Sequence, residues 1–226
     1  QLDQNIRKKD SPSLLIDEGG VSPAYAPSGF TKEFLNDPFD GGFNIEYVLD
    51  INKKPLKHFV NQTMMRVDLP NVLKSGESYS FSIKWWYNIQ DHVNQDGRSG
   101  YESFDKDGNR VYIIAQFFPR MAVYNEVEGW QNYQFWGNGE FALPFGNYDV
   151  KITVPSDHIL DATGELQNRK SVFSKEMIKR YNKAKKTYDK PVMIVTQAEA
   201  EEVEKGFSKK KKTWHFVAEN VRDFAF

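Results

Sequence analysis

The stretch that decides the fold reads Ile113-Ile114-Ala115-Gln116-Phe117-Phe118-Pro119-Arg120-Met121-Ala122-Val123-Tyr124, and it continues through Gly129-Trp130 to the run 145–155. It begins as an apolar strand and breaks at Pro119, because proline cannot donate to a strand ladder. A loop rich in aromatic residues and glycine follows. Residues 145–155 then alternate between apolar and polar positions, which indicates a half-buried strand. This stretch is predicted to form the centre of an extended β domain.

The overall composition favours strands. Aromatic residues make up 15% of the 226 residues, and they are enriched in β-structure. A chain of this length buries enough surface to fold without disulfides or a structural metal. The net charge is −1, so no overall field attracts nucleic acid, and no nucleic-acid partner is predicted. The absence of cysteine excludes disulfides, thiolate catalysis and cysteine-bound zinc.

The sequence also carries expectations about its ends and its surroundings. No apolar run approaches the roughly 18 residues of a membrane span, so none is predicted. Because the chain starts at Gln1 without a methionine, we expect a processed N-terminus from which any signal peptide is gone. The apolar ending at Phe226 suggests a truncated domain.

Further alternating runs set the fold class. They lie at 43–49, 63–70 and 79–87, separated by short polar turns. The predicted fold is therefore mainly β: an antiparallel sandwich or saddle-like, multi-stranded domain with one or two short helices near the C-terminal third. Residues 1–40, with scattered glycine, proline and serine, are predicted to be an irregular leader, and residues 41–226 to be the β domain.

The last third mixes helices with strands. Apolar residues at helical spacing predict a helix over 175–187, and Thr196 with Glu199 predicts a capping box that opens an acidic helix. Residues 191–195 are predicted to form a short strand. Lysines 209–212 are predicted to form an exposed hairpin tip, and residues 213–221 the final strand.

The chain shows no active site of its own. Its four histidines, His58, His92, His158 and His215, lie far apart, so no zinc-binding pair one helical turn apart occurs. No nucleophile elbow or phosphate-binding loop is present. A calcium loop starting at Asp105 would need a closing Glu at position 116, which is Gln. No catalytic and no metal-binding residue is therefore predicted, although carboxylate pairs distant in sequence stay open.

An ordered set of phrases carries a resemblance. They are Asn61–Pro70, Ile83–Ile89, Ala115–Tyr124, Gly137–Phe141, Tyr148–Pro155, Ala162–Leu166 and Trp214–Ala225. In this order they resemble the N-terminal domain of aminopeptidase N-type zinc metallopeptidases, the M-one or gluzincin group, and most of all the branch found in Bacteroidetes-type bacteria. The resemblance covers about residue 40 to the end.

The resemblance implies a division of labour. The region would be a saddle-like β domain that packs on its own catalytic domain, absent from this chain, and that domain would hold the zinc and the HExxH helix. This chain would carry no cofactor itself. The resemblance also implies that Gln116 helps hold the free amine of a peptide substrate, since an amide oxygen accepts from an ammonium. The alternative is that Gln116 only fixes a local turn. An extracytoplasmic location, in the periplasm or cell envelope, follows by the same resemblance.

The exposed aromatics leave two further interpretations open. Phe117, Trp130 and Trp136 are predicted to pack between domains, with Trp85 and Trp86 on opposite faces of one strand. The alternative is a free-standing β-sandwich that binds carbohydrate through exposed Trp and Tyr. A third possibility is an interaction domain without a small-molecule ligand.

Overall fold

The computed structural model describes residues 1–9, 11, 27, 39–93, 99–137 and 142–226. The chain divides into two compact units, Gln1–Pro144 and Phe145–Phe226. Most of the predicted leader, residues 1–40, lies outside the described residues, and the predicted boundary at residue 40 stays a prediction. The fold is mainly β with a few short helices, as predicted. The sandwich arrangement of its sheets stays a prediction.

The first unit is built from hairpins and short ribbons. Its strands in the described part of the chain are β1 (Asn44–Asp50), β2 (His58–Asn61), β3 (Met64–Val67), β4 (Phe81–Trp86), β5 (Gly100–Phe104), β6 (Asn109–Ile113), β7 (Tyr124–Asn125) and β8 (Gly129–Trp130). They pair antiparallel as β1–β4, β2–β3, β5–β6 and β7–β8. Each pair is a two-stranded sheet.

Turn chemistry explains two of these hairpins. Between β5 and β6 the chain reverses at Asp107-Gly108, where Gly108 has a φ of 72°, so the predicted hairpin turn is confirmed. The Asp107 carboxylate accepts from the backbone N–H of Asn109 at 3.2 Å, which is a local turn contact. Between β2 and β3, Gln62 adopts a left-handed backbone with a φ of 52°.

The core of the first unit includes a segment far from the strands in sequence. Phe43, Val48, Leu56 and Ile114 are buried apolar side chains of this unit. Leu2 is buried with them, at the start of a short 3₁₀ helix, Asp3–Arg7. The first residues of the chain are therefore part of the packed interior.

The second unit is a three-stranded antiparallel sheet with helices. β10 (Glu165–Leu166) and β9 (Gly146–Pro155) flank the central β11 (Lys211–Val221). Trp214, Phe216 and Ala218 lie at alternate positions of β11 and are buried. The predicted strands over 145–155 and 213–221 are confirmed.

A turn before β10 requires glycine. Gly164 has a φ of 94°, and a Cβ placed there would lie 2.4 Å from the carbonyl oxygen of Val217 and 2.8 Å from the Cβ of Ala218. Both neighbours belong to the central strand, so the contact cannot be relieved by turning a flexible side chain. This turn consequently fits against β11 only without a side chain.

Three short helices lie between β10 and β11: α1 (Arg169–Val172), α2 (Lys175–Ala184) and α3 (Gln197–Val203). The predicted capping box is present, with Thr196 and Glu199 each accepting from the other's backbone. The Arg180 guanidinium donates to both carboxylate oxygens of Glu199 at 2.6 Å and joins α2 to α3. The strand predicted over 191–195 is wrong: these residues form the irregular connection between α2 and α3.

The contacts of Glu199 generate a prediction about pH. Hydrogen bonds from Arg180 and Thr196 lower the pKa of this carboxyl to about 2, below its ordinary 4.5. The folded state therefore binds this proton less strongly than the unfolded state. The contribution of the Glu199 carboxylate to folding stability is consequently present above about pH 4.5 and is lost as the pH falls towards 2. Glu199→Gln should lower the thermal unfolding midpoint at neutral pH, and the difference from wild type should shrink over this window.

Circular dichroism melts between pH 2 and 7 measure this difference. The matched control is Glu204→Gln, an exposed residue just after α3, which should change stability by less than about 0.5 kcal/mol at each pH. A Glu199→Gln difference that stays constant down to pH 2 would contradict the prediction.

Candidate functional site

The loop Ala115–Arg120 follows β6 and contains the polar residue singled out in the sequence. Three contacts fix its backbone. The Gln4 side chain donates to the carbonyl oxygens of Ala115 (3.2 Å) and Gln116 (3.1 Å). The Trp85 indole N–H donates to the carbonyl of Phe117 at 2.9 Å. The loop is thus held by side chains from two distant parts of the sequence.

A buried ion pair also holds the loop, through the side chain of Arg120. The Nε of Arg120 donates to Oδ2 of Asp3 at 2.8 Å, and the two side chains are 7% and 0% exposed. The backbone N–H of Arg120 also donates to the carbonyl of Gln1 at 3.0 Å. A buried pair contributes little compared with an apolar substitute, but removing one partner leaves an uncompensated charge. This pair therefore fixes where the first residues meet the loop.

Gln116 has an unusual backbone conformation. Its φ is 54°, in the left-handed region, which costs an ordinary residue roughly 1–2 kcal/mol. Its carbonyl is the one that accepts from Gln4. Within the described part of the chain, its half-buried side-chain amide makes no hydrogen bond. The backbone of Gln116 therefore ties the turn, while its amide group is left to accept or donate outward.

A second group of contacts holds the aromatic segment that follows. The Gln134 side-chain oxygen accepts from the N–H and the hydroxyl of Thr63, at 2.9 and 2.7 Å. The N–H of Phe135 donates to the Thr63 hydroxyl at 2.7 Å. These bonds fix residues 134–135 to the turn between β2 and β3, and so position Trp136 next to them in sequence.

The predicted packing residues differ in their surroundings. Trp130 is 56% exposed and meets Tyr124 edge to face, with ring centroids 5.3 Å apart. Trp136 is 45% exposed. Phe117 is half-buried and contacts Phe118 edge to face at 5.0 Å. The two tryptophans therefore expose apolar surface, whereas the half-buried ring of Phe117 packs against a neighbouring residue of its own loop.

The strand β4 presents its tryptophans as expected. Trp85 is turned towards the loop, to which its indole donates, and Trp86 is 51% exposed. Successive side chains of a strand point to opposite faces, which explains the difference. The prediction that Trp85 and Trp86 lie on opposite faces of the strand is confirmed.

Tyr87, which follows β4, has a partly buried hydroxyl with a shifted pKa. Burial raises the pKa of Tyr87 to about 12, and the charge of Arg7 offsets part of that rise. Its ring packs edge to face on Phe43 at 5.6 Å. Tyr87 is accordingly uncharged at neutral pH and acts here as a packing residue.

The histidines are described with their separate contacts. His215 pairs with Asp149 at 2.9 Å, and His158 pairs with Asp157 at 2.8 Å. His58 contacts the carbonyl of Leu56 at 3.1 Å. Among the residues that the structure describes, no three His, Cys, Asp or Glu side chains gather where they could hold a metal ion. In the same residues, no helix has the length and apolar character to cross a membrane.

Sequence reasoning missed the residues that clamp the loop. Asp3 and Gln4 fall in the predicted leader, and no periodic pattern marks them as buried. Their partners are more than 110 positions away in the chain. A signal existed only in Arg120, the one charged residue of the stretch 113–124.

Comparison of the chain with protein-family models, with curated proteins and with solved structures finds no match. The resemblance to the aminopeptidase N-type domain therefore stays a prediction.

The buried ion pair generates a prediction about stability. Arg120→Met should destabilise the first unit by about 3–5 kcal/mol, because the Asp3 carboxylate is left buried without its partner. The matched control is Arg66→Met, which breaks the exposed pair between Arg66 and Asp68 and should cost less than about 1 kcal/mol. Urea unfolding measures both. Equal effects of the two substitutions would refute the assignment of Asp3 and Arg120 as a buried pair.

The backbone conformation of Gln116 generates a second prediction about stability. Gln116→Val should cost more than about 1 kcal/mol, since a β-branched residue is strained at positive φ. Gln116→Gly should change stability by less than about 0.5 kcal/mol, because relief of that strain is offset by the backbone entropy of glycine. Gln62, with a φ of 52°, provides the same pair of substitutions at the turn between β2 and β3. A destabilising Gln116→Gly would show that the amide group itself holds the turn.

Proposed function

We propose that this chain is the non-catalytic N-terminal domain of a zinc-dependent metallopeptidase of the aminopeptidase N type. In this proposal it packs on a separate catalytic domain that supplies the zinc, and it helps position the N-terminus of a peptide substrate. Proteolysis is then a property of the whole protein, and this chain contributes no catalytic residue. The proposed location is extracytoplasmic.

The observation that carries the proposal is the state of Gln116. Its backbone is clamped by Gln4, yet its side-chain amide has no hydrogen-bond partner among the described residues. Because the backbone is already held, binding has to order only the side chain of Gln116, at a cost of about 0.5–1.5 kcal/mol. Its oxygen can accept a hydrogen bond from an α-ammonium, and bonds to charged groups contribute about 1.5–3 kcal/mol.

The exposed aromatics support the docking part of the proposal. Trp130 and Trp136 offer apolar surface on segments that are tied to the strands, by the β7–β8 pair and by Gln134. Aromatic residues are enriched at protein interfaces because they bury much area with few rotatable bonds. We propose that both tryptophans pack against the catalytic domain and that Phe117 supports the loop that carries Gln116.

The test uses the whole protein encoded by the gene. The reading frame after the codon for Phe226 should encode an HExxH segment. In that protein, Gln116→Gly should lower kcat/KM for peptides with a free N-terminus by about 10- to 100-fold, the loss of one charge-assisted hydrogen bond. The same peptides with an acetylated N-terminus should be cut equally by both forms, since they have no ammonium for the amide to hold.

Gln62→Gly is the matched control, because it makes the same change at a second left-handed glutamine. It should leave kcat/KM unchanged. A gene without an HExxH segment refutes the proposal, and so does a Gln116→Gly protein with full activity on free N-termini.

The alternative function is a carbohydrate-binding module. The exposed, contacting pair Tyr124 and Trp130 favours it, because aromatic rings exposed on a β-domain can stack on sugars. The rings meet at 69°, so they form a corner rather than a flat platform. Glycan-array binding that is lost in Trp130→Ala and kept in Trp86→Ala would favour this function over the first.

A further inference from the structure

The first residues of the chain are polar and yet buried like a core. Asp3, Gln4 and Asn5 are each at most 3% exposed, and Leu2 is fully buried. Polar and charged residues are rarely buried to this extent unless their groups are paired. The N-terminal segment, defined here as residues 1–8, must therefore find its partners in the surrounding unit.

Backbone contacts of the segment come from separate parts of the first unit. The N–H of Leu2 donates to the carbonyl of Thr63 at 2.7 Å, next to the β2–β3 turn. The carbonyl of Gln1 accepts from the N–H of Arg120 at 3.0 Å, and the carbonyl of Arg7 accepts from Gly41 at 3.0 Å. The segment is thus bonded along its length, as a bound peptide is.

Side-chain contacts hold three consecutive residues of the N-terminal segment. Asp3 pairs with Arg120, and Gln4 donates to two carbonyls of the loop. Asn5 uses both ends of its amide: Nδ2 donates to the carbonyl of Gln62 at 2.7 Å, and Oδ1 accepts from the N–H of Phe43 at 2.8 Å. Oδ2 of the acid is paired with the guanidinium of Arg120, while its Oδ1 has no partner among the described residues, and the two amides meet groups of matching hydrogen-bond character.

The fit is close as well as polar. A Cβ added at Gly41 would lie 2.7 Å from the Cβ of Arg7 and 2.9 Å from its carbonyl oxygen. One at Gly42 would lie 2.4 Å from the Lys8 side chain. Side chains at 41 and 42 would therefore occupy the space that the segment fills.

These partners form one groove, defined by residues 41–43, 62–63 and 115–120. The contacts that seat the segment are made to this groove, and the covalent path from the segment back to Gly41 runs through residues 9–40. Recognition of the segment by the groove does not depend on those contacts being intramolecular. The groove has the properties of a binding site for a peptide.

We propose that the first unit carries a sequence-specific peptide-binding groove, which the chain fills with its own residues 1–8. The peptide that it takes has an apolar second residue, followed by Asp, Gln and Asn. The molecule that can supply such a peptide is a second copy of this chain, whose segment replaces the first one by exchange. The first position is not read through its side chain, since both polar atoms of the Gln1 amide are buried without a partner in the described structure.

The test uses the intact chain, which has no cysteine. Gln1→Cys places one thiol in the buried segment and removes no side-chain hydrogen bond. The rate of its alkylation reports how often the segment leaves the groove. A synthetic peptide of residues 1–9, which itself contains no cysteine, should raise this rate to a plateau. A tethered segment competes at an effective concentration in the millimolar range, so peptide is added to about 10 mM.

Control variants are available for both the peptide and the protein. The peptide with Asp3→Asn should act only at about 100-fold higher concentration, because it lacks the carboxylate that pairs with the buried Arg120 guanidinium, and a scrambled peptide should have no effect. Val127→Cys, on a side chain that is 91% exposed, should react at a rate that the peptide does not change. In the chain, Gly41→Ala should speed alkylation of Gln1→Cys without any peptide, whereas Gly206→Ala, which has open space around it, should not.

A second measurement removes the tether. A protease site is inserted between residues 9 and 39, complete cleavage of the folded full chain is verified by mass spectrometry, and fluorescence anisotropy then follows uptake of the labelled peptide. We expect saturable binding that the unlabelled peptide competes and the Asp3→Asn peptide does not. Alkylation that is unchanged at 10 mM peptide, or cut protein that takes up no labelled peptide, overturns the proposal. So does equal action of the native and scrambled peptides.

Discussion

The buried ion pair between Asp3 and Arg120 is the constraint on which the first unit depends. It joins the first turn of the chain to the loop after β6, across 117 positions of sequence. With this pair in place, Gln4 lies where its amide reaches the carbonyls of Ala115 and Gln116. The left-handed backbone of Gln116 is then held by its surroundings, although glutamine does not favour it. A charge pair therefore helps to set the backbone geometry of a neutral residue four positions away.

Local signals predicted the second unit well and the first unit only in part. The alternation in Gly146–Pro155 and the capping box at Thr196 depend on neighbours in sequence, and the structure confirms both. The run 191–195 is apolar but short, and a short apolar run does not separate a strand from a packed connection. The clamp on Gln116 depends on residues more than 110 positions away, which no local pattern reveals.

Both units bury some of their large apolar side chains and expose others. In the second unit, the side chains of Trp214 and Phe216 stack on each other and are buried in the three-stranded sheet of a unit that also contains three helices. In the first, the β5–β6 ribbon leaves Phe104, Val111 and Ile113 exposed. A two-stranded ribbon is at best marginally stable by itself in water. Both units thus have apolar surface beyond what their own cores use, since the second unit also exposes Phe145, Tyr188 and Phe207.

The turn at Gly164 has a consequence for finding related chains. Because a Cβ there would collide with the backbone of the central strand, a protein that builds the same sheet must keep a hydrogen atom at this place. The surrounding alternation can drift among many apolar residues without loss of the sheet. A pattern weighted on this one position, together with the buried alternate residues of β11, should therefore detect distant relatives that overall identity misses.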